Sequence, residues 1–130
     1  MADQRRHIAA ALAAYVPESH RVFLDQLEDI YRLPAPDWTG GQILFVHAGI
    51  DPALPADAQP TTALRWIREP FLSAERIGGP VVIHGHTPVE RPEHMRFRIN
   101  IDTGAGLNGP LTAVRLDPDG EVVFEQVTPE

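Results

Sequence analysis

Ile43-Leu44-Phe45-Val46-His47 and, further along, Pro80-Val81-Val82-Ile83-His84-Gly85-His86 decide the reading of this chain. Each is a short apolar run of branched or aromatic side chains bounded by turn residues, the pattern of a strand buried on both faces. Each ends in histidine and opens into a loop of small or turn-forming residues: Ala48-Gly49, then Pro52, Pro55 and Pro60, after the first, and Thr87-Pro88 after the second. Rigid strand ends beside open loops are where metal ligands are commonly held. A single strand-end histidine serves equally well as a hydrogen-bond partner for its own loop. The recurrence of the pattern favours His47 and His86 as a pair of nitrogen ligands. His84 and His86 flank Gly85, and residues two apart in extended backbone share a face, so both can reach one site. Ligation by both is open, with a supporting hydrogen-bond role for His84 preferred. His7, His20 and His94 have no comparable setting and read as surface residues.

Outward from these strands, residues 3–16 read as a helix opened by Asp3, with Ile8, Leu12 and Tyr15 at helical spacing. Pro17 starts a second helix whose stripe of Phe23, Leu24, Leu27, Ile30 and Tyr31 faces a core and ends before Pro34. A loop from Leu33 to Gly41 delivers the chain into the first strand. A helix from about Thr61 to Arg68, capped by Thr61 or Thr62, lies between the two histidine-bearing strands. Arg98 to Asp102 alternates polar and apolar residues and breaks at Thr103-Gly104. Leu111–Leu116 and Glu121–Val127 form a hairpin about Asp117-Pro118-Asp119-Gly120. The expected class is α+β in a single domain over residues 1–130, two N-terminal helices followed by a mainly β portion.

The bulk chemistry narrows the function. A chain of 130 residues has room for one real core. A formal net charge of -7, with no concentrated basic patch, argues against a nucleic-acid partner. No hydrophobic run is long enough to span a bilayer, so a cytoplasmic protein without a membrane partner is expected. Cysteine is absent, so any metal site is built from nitrogen and oxygen ligands.

Four separated segments then occur in a familiar order: Phe45-Val46-His47-Ala48-Gly49, Trp66-Ile67-Arg68-Glu69, Gly85-His86-Thr87-Pro88 and Asp102-Thr103-Gly104-Ala105. Together they resemble the phosphoprotein phosphatases, the calcineurin-like metallophosphoesterases, and most closely their bacterial and phage-type members. The resemblance spans about Val16 to Val127. It implies that His47 and His86 ligate one of two divalent metals, with manganese expected and iron or zinc as alternatives. It implies that Arg68 grips the substrate phosphoryl group, where its planar fork can bind two oxygens. Taken alone, Arg68 reads as a surface arginine paired with Glu69 or a similar acid. Asp102 matches an aspartate at a strand end, read as a support for the histidine loops, and an Asp-Thr-Gly turn is its plain alternative. The family often places a phosphate-contacting aromatic residue after it; here Leu107 stands there beside Asn108, which is the substrate-binding candidate.

The family's Asp-x-His, Gly-Asp-x-x-Asp and Gly-Asn-His segments do not occur in this sequence. The expectation is therefore the C-terminal half of a metallophosphoesterase sandwich, from a truncated or split arrangement, with a missing N-terminal half as partner. Such a half is expected to bind metal weakly, to hydrolyse little alone, and to expose the apolar strands Ile43–Val46 and Val81–Ile83. Its substrate is a phosphorylated protein, as in serine/threonine protein phosphatases, or a small phosphoester such as a dinucleoside polyphosphate. A non-catalytic binding or dimerisation remnant and an unrelated metal-binding β module are the rival readings.

Overall fold

The computed structural model describes residues 11–129, apart from 14, 76 and 118. Most of the helix expected over residues 3–16 lies outside the described residues. Helix α1 (Glu18–Asp25) follows Pro17, and strand β1 (Ile30–Pro34) then pairs antiparallel with β2 (Gln42–Val46). Helix α2 (Thr61–Trp66) precedes β3 (Val81–His84), and β4 (Glu93–His94) and β5 (Arg98–Asn100) follow. A hairpin of β6 (Leu111–Leu116) and β7 (Val122–Val127) closes the described chain.

The first sheet has the order β1-β2-β3-β5-β4, and its centre is parallel: Phe45 is in register with Ile83, and Ile83 with Ile99. Parallel neighbours place their C-terminal ends at the same sheet edge. That edge carries His47, the His84–His86 segment and Asp102.

Strand alternation builds the core in two layers. Ile43, Val81, Ile83 and Ile99 face the second sheet and meet Val114, Leu116, Val122 and Phe124 from the β6–β7 hairpin. Leu44 and Val82 face the other way and pack with Ile50, Leu64, Phe71, Ile77 and Phe97. The result is the expected α+β architecture, two sheets stacked with helical and loop segments outside.

Four sequence expectations are corrected. The second helix stops at Asp25, and Ile30 and Tyr31 belong to a strand, because pairing with β2 outweighs their helical spacing. Phe23, Leu24 and Leu27 do not face a core; all three are exposed. Ile43, Leu44 and Val81 to Ile83 are not uncovered but buried, since the hairpin covers one face and the Phe71 layer the other. The helix expected to reach Arg68 ends at Trp66, and neither threonine caps it; Pro60 holds the cap position.

Gly49 shows how closely the loop after β2 is packed. A Cβ there would lie 2.4 Å from Cδ1 of Phe71, which is itself fully buried. Gly49→Ala is expected to cost about 1–3 kcal/mol through forced displacement of that ring. Urea denaturation measures it; an unchanged midpoint would mean the loop and Phe71 are loosely apposed.

Candidate metal-binding edge

His47 follows β2 directly, and His86 lies two residues beyond β3. Their rings meet: Nε2 of His47 is 3.2 Å from Nδ1 of His86, with ring centroids 5.0 Å apart. The backbone enforces the approach, because the Gly85 amide donates to the His47 carbonyl at 2.9 Å. His86 adopts φ 66°, a left-handed conformation that few side chains tolerate and that costs of order 1–3 kcal/mol. This turn swings the imidazole out of the line of β3. His84 goes the other way: it is 2% exposed, its ring stands edge-on to Phe71 at 4.9 Å, and Nδ1 lies 3.1 Å from the Gly85 carbonyl. The shared face inferred for the two histidines therefore does not exist, because the extended geometry ends at Gly85.

Neighbours tune the pair. Burial first, then the proximity of His47 and of the Arg68 guanidinium, holds His86 below the ordinary imidazole range. A shift in that direction favours the neutral ring, the form in which imidazole ligates a metal. Arg68 itself is exposed, just past α2, and its carbonyl accepts from the Leu72 amide at 2.9 Å. Glu69 does not pair with it but accepts from Ser73, so among the described residues Arg68 enters no ion pair. Trp66, 70% exposed, sets its indole edge-on to His86 with centroids 5.7 Å apart. The sequence placed Trp66 in a motif without giving it a role, and its contact depends on the fold.

Asp102 does not join the two imidazoles. Its Oδ1 accepts from the Gly104 amide at 3.0 Å, and its carbonyl accepts from the Val89 amide at 2.9 Å. Asn108 is exposed, with φ 70°, at the end of the Ala105–Leu107 turn. No described contact brings it to the histidines.

The donor set fits two ligands of a divalent ion. At metal–nitrogen bonds of about 2.0–2.1 Å, two imidazole nitrogens on a tetrahedral ion stand about 3.3 Å apart, close to the separation seen. Among the described residues, no third histidine or carboxylate atom lies within 4.8 Å of both; the one such group is Asp117, Asp119 and Glu121, at the far hairpin turn. The edge is open to further ligands. A groove of about 650 Å³ beside His47 is lined by Leu24, Leu27, Tyr31, Phe45 and Trp66.

Two stacked sheets thus present a pair of apposed histidines at one edge of parallel strand ends. A crystal structure assigned as a diadenosine tetraphosphatase superposes with a TM-score of 0.70 at 22% identity, covering 94% of this chain and 61% of that one. Among curated proteins, bis(5'-nucleosyl)-tetraphosphatase PrpE (asymmetrical) of Anoxybacillus flavithermus is 44% identical over 46 residues. The protein of the same name from Bacillus thuringiensis is 48% identical over 42. These stretches cover 35% and 32% of this chain but 18% and 17% of the relatives. No family model matches the chain. The chain thus shares the fold of that structure over most of its own length and spans less than two thirds of the proteins it resembles.

Burial of His84 has a measurable consequence. Desolvation pushes its pKa from 6.5 down to about 4. Over that window the unfolded chain binds the proton and the folded chain does not, so stability is full above about pH 6.5 and falls as the pH is lowered. Between pH 7.5 and pH 5 the loss assignable to His84 is roughly 2 kcal/mol. Urea midpoints at the two pH values, with His84→Gln as reference, measure it. An equal drop in the variant would assign the pH dependence to other groups.

Proposed function

We propose that this chain supplies part of the active site of a metal-dependent phosphohydrolase, with His47 and His86 as two ligands of one divalent ion. The reading rests on the 3.2 Å apposition of His47 Nε2 and His86 Nδ1 at an open sheet edge. A bound divalent ion would supply Lewis-acid polarisation of a phosphoryl oxygen and a nucleophilic water at neutral pH. Manganese, zinc and iron all accept neutral imidazole, and the choice among them is set by the remaining ligands.

The chain's own residues have separable roles. His47 and His86 bind the ion through the ring nitrogens that face each other, Nε2 and Nδ1. Arg68, unpaired with any described acid and close enough to depress His86, binds and orients the phosphoryl group through two guanidinium nitrogens. Asp102 and His84 hold the loops and the strand end without touching substrate, and Asn108, exposed at the end of the Ala105–Leu107 turn, is the remaining candidate for a substrate contact. The complete site draws its carboxylate ligands from a further segment, the N-terminal half of the fold, either on a longer polypeptide or on a partner. The exposed Leu24, Leu27 and Tyr31 beside His47 suit contact with that segment.

The relatives' names favour a dinucleoside polyphosphate over a phosphorylated protein as substrate. Both are phosphoesters or phosphoanhydrides that need the same grip, so the discrimination lies in groups around the histidine pair.

Calorimetry with manganese and zinc tests the ligand assignment. Wild-type chain should bind weakly, and His47→Ala and His86→Asn should each abolish most of the affinity while His84→Gln keeps it; asparagine tolerates the left-handed backbone at position 86. Isotherms unchanged in both ligand variants would contradict the site. When the chain is joined to the remaining segment of a relative, diadenosine tetraphosphate should be hydrolysed. Arg68→Ala should then reduce turnover about 10²–10³-fold without loss of metal affinity.

A further inference from the structure

Asn100 is the last residue of β5, and its side chain is fully buried at the edge where the histidine loops begin. Its amide makes two bonds in opposite directions. Nδ2 donates to the Thr87 carbonyl at 3.0 Å, and Oδ1 accepts from the Asp102 amide at 3.0 Å. Thr87 follows His86 immediately, so one bond anchors the loop that holds the left-handed histidine. The other anchors the loop of Asp102, whose carbonyl in turn accepts from Val89. A side chain with one donor and one acceptor in this geometry serves as a clamp between two loops. Leucine or valine at the same position would deprive the half-buried Thr87 carbonyl and Asp102 amide of these partners.

We infer that Asn100 is the positioning residue of the histidine pair: its carboxamide ties the loop after β3 to the loop after β5 and holds His86 in the left-handed turn that aims its ring at His47. The strain at His86 makes such a restraint necessary. A residue held at φ 66° persists only where surrounding bonds over-determine it. Two bonds on the loop do so, Gly85 amide to His47 carbonyl before His86 and Thr87 carbonyl to Asn100 after it. The Thr87 amide also closes onto the Gly85 carbonyl at 2.8 Å. Only the Asn100 bond comes from a side chain, so it can be removed without altering the backbone. Asn100 touches neither imidazole and acts through the loop.

This inference rests on the reading of His47 and His86 as ligands only for its functional consequence. Its structural content is tested without metal. In isotopically labelled, metal-free chain, the Trp66 indole and the His86 ring should show a nuclear Overhauser contact, as their 5.7 Å centroid separation requires. Asn100→Ala should lose that contact while the β6–β7 hairpin contacts remain. Ile99→Val, a buried change one residue away that touches neither loop, should keep it. Calorimetry with zinc should show at least a tenfold weaker affinity for Asn100→Ala and less than a twofold change for Ile99→Val. Retention of the Trp66–His86 contact in Asn100→Ala, or its equal loss in Ile99→Val, would overturn the assignment. Wild-type chain that binds no zinc would instead remove the ligand reading and leave the Overhauser result to judge Asn100. Should Asn100→Ala fail to fold, wild-type side-chain amide exchange decides. The Asn100 proton donated to Thr87 should exchange at least tenfold more slowly than those of exposed Asn108, and equal rates would refute the clamp.

Discussion

The parallel register of β2, β3 and β5 is the constraint on which the rest depends. Because Phe45, Ile83 and Ile99 lie abreast, the three strands end together, and residues far apart in sequence emerge at one edge. A parallel sheet of this kind is stable only when both faces are covered. Here the Phe71 layer covers one and the β6–β7 hairpin the other. The buried apolar runs thus serve two ends: they drive folding, and they fix the starting points of the loops to within a rigid frame.

The edge itself is ordered by a few polar bonds rather than by packing. The Gly85 amide joins the two histidine loops, the Ile101 amide reaches back to the His84 carbonyl, and Asn100 links the loops after β3 and β5. The histidines are left facing each other, one exposed and one half-buried, with no carboxylate among the described residues to balance a cation between them. Two neutral nitrogens hold a divalent ion weakly, since an oxygen-rich remainder is what neutralises its charge. An open groove and exposed apolar side chains lie next to His47.

Much of the fold was legible because its signals are local. The runs before His47 and His84 are too apolar and too short for anything but buried strands, and Asp117 to Gly120 has the chemistry of a turn. Strand β1 was not legible: Leu27, Ile30 and Tyr31 suit a helix stripe, and only the pairing of Ile30 with Val46 turns the segment into a strand. Arg98–Asn100 alternates polar and apolar residues in sequence, yet all three residues are buried. Arg98 is matched by Glu93 at 2.7 Å, and Asn100 is matched by two backbone groups. At the candidate site, the approach of His47 to His86 follows from strand order, which patterning suggests. The inward turn of His84, the edge contact of Trp66 and the clamp by Asn100 depend on loop conformation, and no spacing in the sequence encodes it.

The central claim is that His47 and His86 jointly ligate one divalent ion. Paramagnetic relaxation by added cobalt(II) or manganese(II), read on the ring resonances of the histidine-labelled chain, tests it most directly. Ligation predicts that His47 and His86 broaden together at substoichiometric metal, with His84 affected less and the exposed His20 and His94 unaffected. Broadening of only one of the pair, or of all exposed histidines in parallel, would contradict the account.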